Sequence, residues 1–313
     1  MSSPRIVVAG SLNADLTIYC ENLPAPGETL HGSGFSVNPG GKSANQAVAA
    51  SRLGGNVTLL GAVGQDANGD MLVASTAGSG VDVSHVRRVA EPTGVAVISV
   101  EDSGENSIII SAGANGTLAP AAMEPGLFAG SSVVCLCLEV PLETVQAAAQ
   151  AGHDAGATVL LNLSPYAPVT DALAALTDVL LVNAHEASAF LGGFAMPDAD
   201  APEDDWRDAV KHFAARGLHQ VLVTLGSAGS VVLDSSNADR PVVRIAPTKV
   251  HAVDTTGAGD AFTGGVAARL AAGDSLVDAA RYASIAAALA ATKKGTQTAY
   301  PSVAEVARVV AEA

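Results

Sequence analysis

Val253-Asp254-Thr255-Thr256-Gly257-Ala258-Gly259-Asp260-Ala261-Phe262-Thr263-Gly264-Gly265 runs from β-branched residues through a glycine-rich bend into an Ala- and Leu-rich helical pattern. A helix N-terminus presents unpaired backbone N–H groups and about half a positive charge, so anions collect there. Gly257 and Gly259 let an anionic group approach the backbone closely. Asp260 stands beside that place, where an anion repels a carboxylate. The stretch alone leaves two readings open: a general base next to a nest of phosphoryl-binding amides, or a carboxylate that only complements the helix dipole.

Short apolar runs alternate with helical patterns on both sides of this stretch. The runs are Ile6–Ala9, Val57–Gly61, Val133–Leu138, Thr158–Asn162, Val179–Asn183, Val221–Leu225 and Ser230–Leu233. The helical patterns include Ala44–Leu53, Leu142–Ala151, Ala187–Leu191, Asp205–Arg216, Asp260–Ala272 and Leu276–Ala291. Such alternation predicts an α/β fold of three layers, α/β/α, with a mostly parallel, Rossmann-like sheet. Ligands of such sheets bind at the carboxyl ends of strands, where Gly10-Ser11, Asn183, Gly226 and Asp254 fall. Two regions break the alternation and read as strands without helices: Leu16–Tyr19 with Thr29–Phe35, and Val95–Val100 with Ser107–Ser111. Turns are expected at Pro24, Pro26-Gly27 and Asp102-Ser103-Gly104. Residues 15–36 and 93–112 are therefore expected to form a small antiparallel β-sheet lid. Residues 1–14, 37–92 and 113–313 form the α/β domain in this reading. Residues 195–206, with two prolines and five acidic side chains, are expected to be a solvated surface loop.

Composition narrows the function. The chain has 313 residues, 49% of them hydrophobic, which suffices for a large core. A formal net charge of -15 disfavours nucleic acid, whose affinity comes from Lys and Arg on phosphates. No stretch approaches the roughly 20 apolar residues of a membrane span, and no leader is expected ahead of Ile6-Val7-Val8-Ala9. Cys135 and Cys137, at alternate positions of an apolar run, read as reduced core residues, which together with Cys20 suits the cytoplasm. The seven histidines have no metal-ligand spacing.

Two further stretches carry chemistry. In Asn38-Pro39-Gly40-Gly41-Lys42-Ser43-Ala44-Asn45-Gln46, two glycines and a lysine open a helix whose first turn carries Asn45. The spacing is not that of a P-loop. Either the glycines bring backbone close to a ligand while Lys42 and Asn45 bond hydroxyls, or this is a loop with Asn38 or Ser43 as helix cap. In Gly10-Ser11-Leu12-Asn13-Ala14-Asp15, period 2 directs Asn13 and Asp15 to one face, where they could grip vicinal hydroxyls or make a turn.

Taken together, the chain resembles the ribokinase-like carbohydrate kinase family over nearly its whole length. The resemblance rests on Gly10–Asp15, Pro24–Thr29, Gly40–Ala47, Gly113-Ala114-Asn115, Leu138-Glu139-Val140-Pro141, Asn183-Ala184-His185-Glu186, Thr224-Leu225-Gly226 and Asp254–Asp260, all in the family's order. Gly-Gly-Lys-x-Ala-Asn-Gln with Glu139 is similar to members acting on free ribose rather than on nucleosides or phosphofructose. The resemblance implies transfer of a phosphoryl group from ATP to the 5-hydroxyl of D-ribose. It implies Asp260 as general base and the amides of Gly257, Ala258 and Gly259 as an anion hole. Asn13, Asp15, Gly41, Lys42, Asn45 and Glu139 match the sugar-binding positions. Asn183, Thr224, Gly226, Gly229, Gly259 and Ser284 match positions around the nucleotide, and Glu186 is implied to hold Mg²⁺ through water. Asp254 and Thr256, with carbonyls of Ala290, Lys293 and Gly295, match a monovalent-cation site for K⁺. The chain departs from the family at Ala299, where a serine is common, so that a hydroxyl ligand is either lost or replaced by Thr298 or water, and at Ser43, where glycine is common.

A homodimer joined through the small sheet is also implied. The competing expectation within the family is a kinase of deoxyribose, fructose or a nucleoside. An aromatic content of 4%, with no aromatic platform for a base in the lid, favours a free sugar. A dinucleotide-binding oxidoreductase is the reading from another class, and Ala9-Gly10-Ser11-Leu12 lacks its glycine fingerprint.

Overall fold

The computed structural model describes residues 4–103 and 105–312, so the start of the chain and Gly104 of the expected turn lie outside the described residues. The first half runs β1 (Arg5–Ala9), β2 (Asn13–Cys20), β3 (Gly34–Gly40), α1 (Lys42–Arg52), β4 (Asn56–Gly64), α2 (Ala67–Gly78), β5 (Asp82–Val89), β6 (Gly94–Glu101), β7 (Asn106–Ser111), β8 (Ser131–Leu136) and α3 (Leu142–Asp154). The second half runs β9 (Thr158–Asn162), α4 (Asp171–Ala175), β10 (Val179–Asn183), α5 (Ala184–Phe190), α6 (Arg207–Ala215), β11 (Gln220–Thr224), β12 (Ser230–Asp234), β13 (Val242–Ile245), α7 (Ala258–Ala271), α8 (Leu276–Ala291) and α9 (Val303–Glu312).

Nine strands form one sheet in the order β13-β12-β11-β10-β9-β8-β1-β4-β5, parallel from β11 to β5, with β12 and β13 antiparallel at one edge. Alternation along each strand separates two cores. Ile6 and Val8 pack beneath α1, α7 and α8, whereas Val7 and Ala9 pack beneath α3, α5 and α6. The three-layer α/β/α expectation holds. Cys135 and Cys137 are wholly buried free thiols, as expected of core residues. Among the described residues no helix is long and apolar enough to cross a membrane.

The small sheet has the order β3-β2-β6-β7. It is mixed rather than antiparallel, because β2 and β6 pair in parallel. The reason lies in the large sheet. β1 and β5 run the same way, and β2 and β6 leave from their carboxyl ends, so both continue in one direction. The small sheet also reaches back to Asn13 and on to Gly40, beyond the expected 15–36, and residues 29–33 are not strand. A second correction concerns residues 195–206. Glu203–Trp206 forms a 3₁₀ turn that buries Trp206 completely while Asp204 and Asp205 stay exposed, so that one residue of the loop is core rather than solvated.

Candidate active site

Helix α7 approaches α1 closely because Gly264 faces it. A Cβ at Gly264 would lie 2.6 Å from the Gln46 carbonyl oxygen and 2.6 Å from Ala49 Cβ. The contact brings Asp260, one turn earlier on α7, against Asn45 and Gln46. Asn45 Nδ2 donates to Asp260 Oδ2 at 3.0 Å, and Gln46 Nε2 donates to Asp260 Oδ1 at 3.0 Å. Asp260 is therefore more than a dipole partner at a helix start. Gln297 joins the group by donating to Asn45 Oδ1 at 3.0 Å.

Glu139, just beyond β8, ties three segments together. Its Oε2 accepts from the Ser11 hydroxyl (2.6 Å), the Lys42 amide (3.0 Å) and Asn13 Nδ2 (3.4 Å). Asn115 fixes Asn13 in turn, donating to its Oδ1 at 2.7 Å and to the Leu12 carbonyl at 3.0 Å. Gly41 has φ 90°, and a Cβ there would meet the Asn13 amide nitrogen at 2.6 Å, so only glycine lets β2 and the start of α1 meet. A Cβ at Gly40 would fall on the Asp15 carboxylate. The expected sugar set of Asn13, Asp15, Gly41, Lys42, Asn45 and Glu139 is thus one neighbourhood. Helix α1 has no side-chain cap; the Ser43 hydroxyl pairs with Cys137 Sγ at 3.0 Å instead of capping the helix.

Electrostatics follow from crowding. Burial, then Glu139, then Asp260 push the Asp15 carboxyl up to about 7. Burial pulls the Lys42 ammonium down, but the carboxylates of Asp260 and Glu139 outweigh it and hold the group above its ordinary value. Between the ordinary value of 3.8 and about 7, native Asp15 keeps a proton that the unfolded chain has released. Its contribution to stability therefore declines as pH rises through that window. Thermal unfolding of the ligand-free protein at about pH 5 and about pH 8 is expected to show this decline, and Asp15→Asn is expected to flatten it. An equal pH dependence in the variant would clear Asp15 as the source.

On the other side of Asp260 lies a cavity of about 690 Å³. Thr224, Gly226, Gly229, Gly259 and Ser284 line it, with Val250, Phe262 and Ala287 supplying apolar wall. Its size suits a nucleotide-sized ligand. Gly257 (φ 74°) turns the chain into α7, and the Ala258 amide already donates to the Thr255 carbonyl at 3.1 Å. Of the expected anion-hole amides, that one is partly engaged.

Asn183 does not line the cavity. It caps α5 by accepting from the Glu186 amide, while Glu186 Oε2 accepts from the Asn183 amide, both at 2.8 Å. Asn183 stands beside Thr224 in the β10–β11 register. Asp254 bridges two loops, accepting from the Thr256 amide and the Gly295 amide at 2.9 Å each. Burial raises its carboxyl, but those hydrogen bonds outweigh it and hold the group below the usual carboxylate range. The Ala290 carbonyl accepts from the Lys293 amide at 3.2 Å, and the Lys293 ammonium pairs with Glu305 at 2.8 Å.

The model of the pfkB family carbohydrate kinases matches residues 3–303. The chain belongs to that family. It is an ATP-dependent sugar kinase. This kinase is 38% identical to a ribokinase of Schizosaccharomyces pombe over 312 residues, covering 96% of each chain. It is 35% identical over 302 residues to a deoxyribokinase of Salmonella typhi, covering 95% of this chain and 96% of the other. Its structure is similar to that of Arabidopsis thaliana ribokinase complexed with ribose and ATP, with a TM-score of 0.89, 32% identity and 99% of each chain covered. Ser11, Asn115, Gln46 and Gln297 are the polar members of this kinase's site that sequence reading left without a role. Ser11, Gln46 and Asn115 belong to the sequence motifs above, and Gln297 lies outside them.

Proposed function

We propose that this kinase transfers the γ-phosphoryl group of ATP to the 5-hydroxyl of D-ribose, giving ribose 5-phosphate and ADP. One observation carries the reading. Gly259 lines the nucleotide-sized cavity, and the next residue, Asp260, touches Asn45 of the hydroxyl-binding set. Donor and acceptor compartments thus meet at a single peptide unit. Asp260 takes the proton from the attacking hydroxyl, and the amides of Gly257, Ala258 and Gly259 receive charge on the transferred group. Phosphoryl transfer depends mostly on such positioning and electrostatics. Asn13, Asp15, Gly41, Lys42, Asn45 and Glu139 bind the sugar. Thr224, Gly226, Gly229 and Ser284 surround the nucleotide, with Asn183 next to Thr224 in the strand register. The division falls between the α/β domain (1–14, 37–92 and 113–313) and the lid (15–36 and 93–112), with the lid strands running on to Asn13 and Gly40 at the joint.

Mg²⁺ fits the donors present. Glu186 is a buried carboxylate with one oxygen held by the α5 cap, a single hard oxygen donor. That suits an ion that keeps several waters and leans on nucleotide phosphates. Bound there, Mg²⁺ would neutralise phosphate charge. K⁺ fits an all-oxygen donor set of Asp254 and Thr256 with the carbonyls of Ala290, Lys293 and Gly295, whose loops the Asp254 carboxylate ties together. Ala299 offers no hydroxyl there, but the Thr298 hydroxyl lies beside Gly295, 2.8 Å from where a Cβ would stand. K⁺ would add positive charge next to the anion hole.

The lid supports a homodimer. Strand register puts Leu16, Ile18, Phe35, Val37, Val97 and Ile109 on one face, opposite the face bearing Asp15. Phe35 is 65% and Ile109 71% exposed, which is a large apolar surface for a single sheet. Free buried thiols suit the cytoplasm.

ADP release measured with ribose, deoxyribose, fructose and adenosine, each with ATP and Mg²⁺ in KCl or NaCl, tests the reading. Ribose is expected to give the highest kcat/KM, with K⁺ faster than Na⁺. Equal or better use of deoxyribose, fructose or adenosine would reassign the substrate, and equal rates in the two salts would remove the K⁺ site.

A further inference from the structure

Two chains of hydrogen bonds run inward and end on Asp260. The first begins at the Cys135 thiol in β8, which donates to Gln46 Oε1 at 3.3 Å, and Gln46 Nε2 donates to Asp260 Oδ1. The second begins at the Ser75 hydroxyl in α2, which donates to Gln297 Oε1 at 3.3 Å; Gln297 then donates to Asn45, and Asn45 to Asp260 Oδ2. A side-chain amide has a donor end and an acceptor end, so whatever binds its oxygen decides which end faces the carboxylate. Burial pushes the Cys135 thiol well above its ordinary value, so it stays protonated and donates. With a donor at its oxygen, Gln46 turns N–H toward Asp260.

The two chains have different permanence. Asn45 also serves the sugar set, so a bound hydroxyl competes for its amide. Gln46 is 1% exposed, and its side-chain hydrogen bonds among the described residues go only to Cys135 and Asp260. A carboxylate turns about its Cβ–Cγ bond unless both oxygens are held. When Asn45 engages the sugar, Gln46 remains as the fixed tether. Packing alone is a poor account of Gln46, because alanine fills much of that face of α1, whereas both ends of the Gln46 amide are spent on the line from Cys135 to Asp260. We infer that Gln46 is a positioning residue that orients Asp260 for proton abstraction, and that the Cys135 thiol sets the direction of the Gln46 amide. The inference rests on Asp260 being the base.

Steady-state kinetics of Gln46→Met, Cys135→Val, Cys135→Ser and the Gln46→Met/Cys135→Val double variant test it. Gln46→Met is expected to lower kcat about 10- to 100-fold, with the sugar KM within about threefold, because a misdirected base harms the transition state rather than sugar binding. Cys135→Val is expected to lower kcat in the parent but to add nothing in the Gln46→Met background, since the thiol acts through the amide. Cys135→Ser, which keeps a donor, is expected to restore kcat. A kcat within about twofold of the parent in Gln46→Met, or additive effects in the double variant, would overturn the inference. If Gln46→Met does not fold, equal kcat in Cys135→Val and Cys135→Ser would overturn it. Asp260→Ala separates the layers. Lost turnover there with intact Gln46→Met removes only this inference, whereas retained turnover removes the base itself.

Discussion

Asp260→Ala is expected to lower kcat by ~10²–10⁴-fold, the usual worth of general-base assistance. Sugar binding is expected to survive, because Asn13 and Glu139 are tied to Ser11, Asn115 and the Lys42 amide by hydrogen bonds that do not include Asp260. The variant also leaves the inward-facing amides of Asn45 and Gln46 without their acceptor, at a cost of about 1–3 kcal/mol for each buried donor left unpaired. The Asp15 carboxyl is expected to titrate lower once a neighbouring negative charge has gone. ADP release, calorimetry with ribose and a thermal melt measure these effects separately. Parent-like turnover would place the base elsewhere.

Gly264→Ala is the second large effect expected, and it acts through packing. The new methyl would stand 2.6 Å from the Gln46 carbonyl oxygen, 2.6 Å from Ala49 Cβ and 2.8 Å from the Ala50 amide nitrogen. Two of those atoms are backbone, so α7 must move away from α1. Overpacking of this kind costs about 1–3 kcal/mol, which lowers Tm by several degrees. Turnover is expected to fall with it, since the same movement pulls Asp260 from Asn45 and Gln46. Gly259→Ala is the contrast. Among the described residues nothing beyond its chain neighbours and its own helix backbone lies within 4 Å of a Cβ at that position, so Tm should hold. Gly259 lines the nucleotide cavity, so the ATP KM should rise instead. A parent-like melt and kcat for Gly264→Ala would show that the helices tolerate separation.

The layered fold was legible because apolar runs such as Val179–Asn183 and helices such as Leu276–Ala291 carry clear patterns, and both span the residues expected. Helix α2 was not, because only Gly69, Leu72 and Thr76 of its residues are buried, too few for a periodic stripe. Edge strand β5 alternates weakly among exposed Ser84, His85, Arg87 and Arg88. The parallel pairing of β2 with β6 depends on where two distant strands leave the large sheet, which no local pattern records. Likewise, glycine bends and strand ends pointed to Asp260, Gly257 and Asp15. The partners of Asp260 lie 214 and 215 positions away, and no spacing rule connects Gln46 or Gln297 to it. Asn183 and Glu186 illustrate a signal with two meanings, since Asn-x-x-Glu is also a helix capping box, and that is what the pair forms.

Asp15 lies on β2, a strand of the small sheet, whereas Lys42 and Asn45 belong to α1 of the large domain. With the sugar bound as proposed, the cover therefore carries, in Asp15, one of the fingers that hold it. Any displacement of the cover withdraws that finger in the same stroke, and a closed cover is one whose carboxylate has met its hydroxyls. Entry, grip and exit become one mechanical coordinate, along which a half-open molecule has little hold on either substrate or product.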